Sequence, residues 1–316
     1  MDFPLLSVVI PMHNEEENAA GLIAALDAAL KDIDYEAVIV DDGSRDSTVL
    51  RLMEAATPRV RIVELARNYG QTAATKAGID AAHGEYIALM DGDLQNDPTD
   101  IPEMLRSVEG GEADVVIGSR ARRKDNFFRR KLPSRIANFL IRALTGLKIS
   151  DQGCSLKLFK AEALKRLELH GDMHRFIAVL AHLDGNRIKE VPVRHHPRLH
   201  GKTKYGLGRT TRVVSDILLI VFFMRFMRRP MHLFGTIGVG LTLVGGLVES
   251  YLLALKISGE SVGGRPLFFV GILFLVAGVQ FITTGFVAEM LLRTYYAPGG
   301  GRTSYALKND NNVRRR

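Results

Sequence analysis

The chain has 316 residues, 42 Lys and Arg against 35 Asp and Glu, a formal charge of +7, one cysteine and no tryptophan. That length allows more than one domain, and a lone Cys154 excludes an intrachain disulfide framework and fits a reducing compartment. Because long runs near the C-terminus are almost uncharged, the basic excess is assigned to anionic headgroups and anionic substrates, not to nucleic acid.

The start, MDFPLLSVVIPMHNEEE, has no basic region and only a short apolar run, so no signal peptide is expected. From there short β-rich runs alternate with helical ones. LLSVVIPM (5–12) reads as a strand, and residues 15–32 read as an amphipathic helix with an acidic first turn. Further strands are predicted over 35–42, 59–66, 85–93 and 113–120, with helices beginning near Asp46, covering 71–83 and following Pro98. Val- and Ile-rich strands spaced by helices predict an α/β fold with a mostly parallel sheet covered on both faces. Ligands of such sheets collect beyond the carboxyl ends of the strands. That rule gathers His13, Asn14, Glu15, Asp41, Asp42, Asp91, Asp93 and Arg120 onto one edge.

FFRRKLPSRIANFLIRALTG (127–146) reads as a basic amphipathic helix suited to a membrane surface. RLHGKTKYG (198–206) combines glycine with clustered cations, a composition for a loop closing over an anion. A juxtamembrane helix is predicted over 211–231, followed by spans at 232–256 and 267–292, whose apolar stretches hold only Glu249 and Glu289 as acids. Each span can cross about 30 Å of hydrocarbon as a helix. Basic residues flank the pair at 225–230, Arg293, Arg302 and 314–316, whereas the connecting loop carries one Lys and one Arg. The positive-inside rule then puts both termini and the N-terminal domain in the cytoplasm. The two glutamates are expected to face protein, each other or headgroups. The Gly content of the spans suits close helix packing in lipid and permits self-association, and the tail over 297–316 is expected to be disordered.

MDGDLQN (90–96) sets Asp91 and Asp93 after an apolar run, with Gly92 between them for a tight turn and close ligand approach. Carboxylates there must be solvated, paired or metal-bound. Mg2+ or Mn2+ takes carboxylate oxygens together with substrate phosphates and water, although such a pair equally caps a helix or lies in a solvated loop. In VDDGSRDST (40–48), Asp42 is the candidate for base recognition and Asp46 reads as a helix cap. Together with SVVIPMHNEEEN (7–18), MDGDLQNDP (90–98) and VIGSRARR (116–123), these motifs resemble the GT-A (Rossmann-like) fold of the family 2 glycosyltransferases. ISDQGCSLKLF (149–159), RLHGKTKYG and the two spans extend the resemblance to the polyisoprenyl-phosphate glycosyltransferases. DQGC is close to the D-Y-G-C of the undecaprenyl-phosphate formamido-arabinose transferases, which points to a bacterial undecaprenyl-phosphate enzyme.

The resemblance implies a GT-A domain over 1–210, with a nucleotide-sugar pocket at Pro11, His13, Glu15, Val40 and Asp42. His13 stands where some relatives have an aromatic residue, and Glu15 equally reads as a first-turn helix acid. It assigns Asp91, Asp93 and Gln95, around Gly92, to Mg2+ or Mn2+ and the donor diphosphate, although Gln95 also reads as an exposed amide. Arg120, Arg129, Arg130, Arg198 and Lys204 are implied as cations for the diphosphate and the acceptor phosphate. Asp93 and Asp151 are the implied catalytic pair. A prenyl phosphate is already anionic, so Asp151 is expected to orient the acceptor or a sugar hydroxyl, or to serve as a base only in a limited sense, and it equally reads as a turn residue capping local backbone. Cys154 reads as a small buried residue, and His195, His196 and His200 do not fall at zinc spacing.

The implied activity is metal-dependent, inverting transfer of one sugar from a UDP- or GDP-sugar to a polyprenyl phosphate at the plasma membrane. A processive synthase conflicts with the lack of Trp for a Q-x-x-R-W segment, and a dehydrogenase with the lack of G-x-G-x-x-G after the first strand. A membrane-anchored binding subunit conflicts with the retention of both acids and the cationic set.

Overall fold

The computed structural model describes residues 3–120, 149–169, 171, 173–197, 230–262, 264–295 and 307–312. It divides into two units, Met1–Val213 with Thr303–Arg316, and Val214–Arg302. The segment 127–146, most of 211–231, and Arg129, Arg130, Arg198 and Lys204 lie outside the described residues.

In the first unit the strands are β1 (Leu6–Met12), β2 (Tyr35–Asp41), β3 (Val60–Leu65), β4 (Tyr86–Leu89), β5 (Val115–Ser119), β6 (Lys157–Lys160), β7 (Ile188–Pro192) and β8 (Leu307–Asn312). They form one sheet in the order β7-β5-β6-β4-β1-β2-β3-β8. Parallel pairing joins β1 to β2 and β4, β2 to β3, and β5 to β7. β6 runs antiparallel to both β4 and β5, and β8 antiparallel to β3. Every residue of β2 and β4 is buried, as continuous Val/Ile/Leu runs require when a sheet is covered on both faces. The covering helices are α1 (Ala19–Ala29), α2 (Thr48–Ala55), α3 (Gln71–Ala81), α4 (Ile101–Glu109), α5 (Ala161–Lys165) and α6 (Ile177–Leu183). Leu22, Leu26, Met104 and Leu105 from α1 and α4 pack with Val8, Ile10, Ile39 and Leu158 in the core.

Three expectations change. α1 starts at Ala19, because Glu15–Asn18 form a turn in which the Asn18 amide donates to Glu15 Oε2 at 2.6 Å. The GCSLKLF stretch, read as a motif, also supplies the reversed strand β6, so the sheet is mixed though mostly parallel. The tail was expected to be disordered over 297–316, yet Leu307–Asn312 extend along the β3 edge. Main-chain pairing to an open edge needs no apolar pattern.

Reversing β6 positions the site. With β4 and β5 both antiparallel to β6, the carboxyl ends of β1, β2, β4, β5 and β7 face the same edge as the amino end of β6. Loop 149–156 therefore meets the loops after β1, β2, β4 and β5. Successive strands leave β1 in opposite directions, toward β2 and β4, so this edge includes a topological switch point.

The second unit contains α7 (Pro230–Ile257) and α8 (Pro266–Tyr295). Segments Pro230–Ile257 and Pro266–Leu291 have mean hydropathies of 1.7 and 2.2. Unlike core helices they expose their large apolar residues, with Leu247 at 71% and Phe269 at 66%, as lipid-facing helices do. They pack antiparallel through glycines at seven-residue spacing. A Cβ on Gly238 would lie 2.7 Å from the Gly278 carbonyl oxygen, and one on Gly245 2.9 Å from that of Gly271. Glu249 turns toward this seam beside Gly271.

Candidate active site

The loop after β1 and the loop after β2 are stitched together. Asn14, at φ 53°, donates its amide N–H to Ser44 Oγ at 2.9 Å and accepts the Arg45 N–H on Oδ1 at 2.8 Å. Asp46 accepts from the Thr48 N–H and hydroxyl at 3.1 and 2.6 Å, one residue ahead of the N-cap Ser47, rather than standing at the cap position itself. Gly43, at φ 65°, has no room for a side chain against Asn68 N, 2.6 Å from where a Cβ would stand.

Pro11 pairs with Val40 in adjacent strands, and His13 and Glu15 follow at the sheet rim. Glu15 accepts from the Asn18 side chain in the turn before α1, four residues ahead of the helix, so it is not the first-turn acid of the alternative reading. Asp42 is buried, and its two oxygens accept the Tyr69 and Gly70 N–H groups at 2.7 and 2.9 Å. Burial pushes its carboxyl up against the pull of those amides. Asp42 thus holds the loop entering α3 against the end of β2.

That loop delivers Gln71 to the acidic pair. The Gln71 Nε2 donates to Asp91 Oδ1 at 2.8 Å. Burial, and then neighbouring Asp93, push Asp91 upward, while Ser155, Lys157 and Arg120 oppose the shift. Asp93 is buried and accepts the Gln95 N–H on Oδ1 at 3.2 Å. Gly92 serves packing, since a Cβ there would lie 2.7 Å from Met12 Cγ, and its φ is not positive. The turn's left-handed residue is instead Leu94, at φ 58°. A branched side chain there costs about 1–2 kcal/mol, and such strain clusters at functional sites.

Loop 149–156 forms the opposite wall. Asp151 grips Arg120 with both oxygens, at 2.6 Å to Nε and 2.8 Å to Nη2, and also accepts the Arg120 N–H at 3.1 Å. Burial works against the Arg120 charge, but Asp151 outweighs it and raises the guanidinium. Glu190 of β7 accepts the Ser150 and Asp151 N–H groups, fixing the turn. Asn96 donates to Ser155 Oγ at 2.7 Å, tying this wall to the acidic turn.

The residues leading to 198–206 are anchored at the same turn. Asn96 and His195 form a β-bridge, and the His196 N–H donates to the Gln95 carbonyl at 2.8 Å. Arg194 Nε meets Asp100 at 2.9 Å, and His196 Nε2 meets Asp97 at 3.0 Å. Gln71, Ser155, Lys157 and this clamp were not singled out from the sequence.

Among the described residues no cluster of three or more His, Cys, Asp or Glu stands ready to hold a metal. Two neighbouring carboxylates at the edge shared with the Arg120–Asp151 pair suit instead a hard divalent ion that takes its remaining ligands from a bound diphosphate and water.

A family profile described as "Glycosyl transferase family 2" matches residues 7–168. The chain is 48% identical to dodecaprenyl-phosphate galacturonate synthase of Rhizobium johnstonii, over 92% of this chain and 88% of that protein. It is 35% identical to undecaprenyl-phosphate 4-deoxy-4-formamido-L-arabinose transferase of Pseudomonas aeruginosa, over 92% and 86%. Among solved structures it resembles glucosyl-3-phosphoglycerate synthase from Mycobacterium tuberculosis in complex with Mn2+, uridine-diphosphate-glucose and phosphoglyceric acid. The TM-score is 0.53, with 20% identity, over 69% of this chain and 80% of that one. That likeness concerns the fold. The match across half of the chain to the profile, and across nearly all of it to these relatives, places the protein in glycosyl transferase family 2, as a glycosyltransferase with two membrane-length C-terminal helices.

Proposed function

We propose that this chain transfers one sugar from a nucleotide-sugar to a polyprenyl phosphate, with inversion, at the cytoplasmic face of the plasma membrane. The observation that carries the reading is the meeting, at one sheet edge, of Asp91 and Asp93 with the Arg120–Asp151 pair. Pro11, His13 and Val40 line the nucleoside end, and Asp42 shapes it by holding Tyr69 and Gly70. Asp91 and Asp93, with Gln95 beside them, would hold Mg2+ or Mn2+, which when bound offsets charge on the donor diphosphate. Arg120, held by Asp151 through Nε and Nη2, keeps its remaining N–H groups for a phosphate. With both Asp151 oxygens on Arg120, that acid works as an orienting group, and the acceptor phosphate needs no base. Arg129, Arg130, Arg198 and Lys204 are proposed for the acceptor phosphate, and the basic flanks of α7 and α8 for a cytoplasmic placement of both termini.

The 48%-identical relative is named for galacturonate, which makes a UDP-linked uronic acid the first donor to try. Membranes holding the protein, given a panel of UDP- and GDP-sugars and undecaprenyl phosphate, should form one glycolipid visible by mass spectrometry. Chelation by EDTA and Asp93→Ala should each remove it. Near-normal turnover in Asp93→Ala would sink the metal assignment, and an absence of product with every donor would sink the transfer itself.

A further inference from the structure

Lys157 has no part in the reaction just described, yet it is the most unusual charged side chain of this edge. It opens β6, paired across to Leu89 of β4 and Ile117 of β5, and is only 4% exposed. Its ammonium donates to the Cys154 carbonyl, beneath the wall that carries Asp151 and Ser155. A lysine in a β-sheet core is costly unless opposite charge offsets its desolvation. Burial pushes it down, and Cys154, Asp91 and Asp151 hold it up.

The local charges can be followed group by group. Arg120 and Asp151 satisfy each other through two hydrogen bonds. Asp91 accepts from Gln71 and feels both Asp93 and the ammonium of Lys157, whose strand position pairs with Leu89, two residues before Asp91, and nothing in the transfer chemistry uses that ammonium. A buried positive charge beside Asp91 repels a free divalent ion and attracts an anionic diphosphate. We propose that Lys157 is a built-in counter-charge that weakens the acidic pair's hold on free metal and strengthens its hold on nucleotide, so that metal and nucleotide load as one complex. The inference rests on the proposed metal–diphosphate site and adds an order to its filling.

The test uses the full-length protein in detergent with three variants. Lys157→Met removes charge and hydrogen bond, Lys157→Gln keeps a donor for the Cys154 carbonyl, and Lys157→Arg keeps the charge. Mn2+ binding without nucleotide is followed by paramagnetic resonance, and UDP binding in EDTA by calorimetry. Removing one unit charge at this range should tighten Mn2+ and weaken UDP, each by about tenfold, in both neutral variants. Lys157→Arg should stay within about threefold of wild type on both. Opposite signs separate a field effect from damage, because a disordered site would weaken both ligands. Loss of both, or Mn2+ binding unchanged as a neutral amine would leave it, overturns the inference. If Lys157→Met alone does not fold, Lys157→Gln decides by the same two signs. A wild-type chain that binds neither ligand overturns the proposed site and this inference together.

Discussion

Asp151 illustrates how a side chain's partners decide its chemistry. Its side chain is 22% exposed and that of Arg120 12%, and two hydrogen bonds join them. Replacing Asp151 with Asn leaves the guanidinium part-buried without its counter-charge, a change expected to cost about 2–3 kcal/mol. The thermal midpoint of detergent-solubilised Asp151→Asn should fall, and transfer should drop at least about a hundredfold, as expected when a substrate-positioning group is misplaced. Adding Arg120→Gln should restore much of the midpoint but none of the transfer. Recovery of both would show the pair to be structural only. The acids themselves were legible because charged residues directly after apolar runs have few explanations. Their partners were not. Gln71 lies 20 residues before Asp91, and Asn96 lies 59 before Ser155, and no local pattern couples residues so far apart.

Elements were read best where periodicity alone determines them. The alternation of β1, α1, β2, α2, β3, α3, β4 follows from apolar runs and helical spacing. β6 and β8 escaped because one is short and reversed and the other is a polar stretch, LKNDNN, with no apolar pattern to mark it as a strand. The membrane-length helices were found from hydropathy, and their glycines, read as suiting close helix packing in lipid, pack against each other inside the hairpin. Gly278 faces α7, where an added Cβ would sit 2.7 Å from the Gly238 carbonyl oxygen, while Gly246 has open space around it. Overpacking at such a contact costs about 1–3 kcal/mol. Gly278→Leu should therefore lower the yield of monodisperse protein in size-exclusion chromatography and its thermal midpoint. Gly246→Leu should leave both unchanged if Gly246 faces lipid, and a loss there instead would mean that this face packs against another chain.

At the scale of the whole molecule, the two units divide the work between chemistry and address. Every described candidate for the donor site lies in the first unit, which has its own sheet, covering helices and core. The second contributes a helical hairpin whose apolar surface is suited to lipid. Donor binding should then be independent of the hairpin, and access to a bilayer-held acceptor should depend on it. Tethering to the membrane that holds the acceptor raises its effective concentration to about the millimolar range. A variant with residues 230–295 replaced by a flexible Gly/Ser linker should bind UDP within about threefold of wild type, because none of the donor-side hydrogen bonds is touched. With micromolar undecaprenyl phosphate in vesicles, its transfer rate should fall about a hundredfold or more, the loss expected when an anchored encounter becomes a bulk one. Supplying the same acceptor in mixed detergent micelles at high concentration should close most of that gap. If UDP binding is lost as well, the hairpin supports the donor site itself; if transfer in vesicles persists undiminished, the membrane address resides elsewhere in the chain, with the basic segment 127–146 the next region to remove.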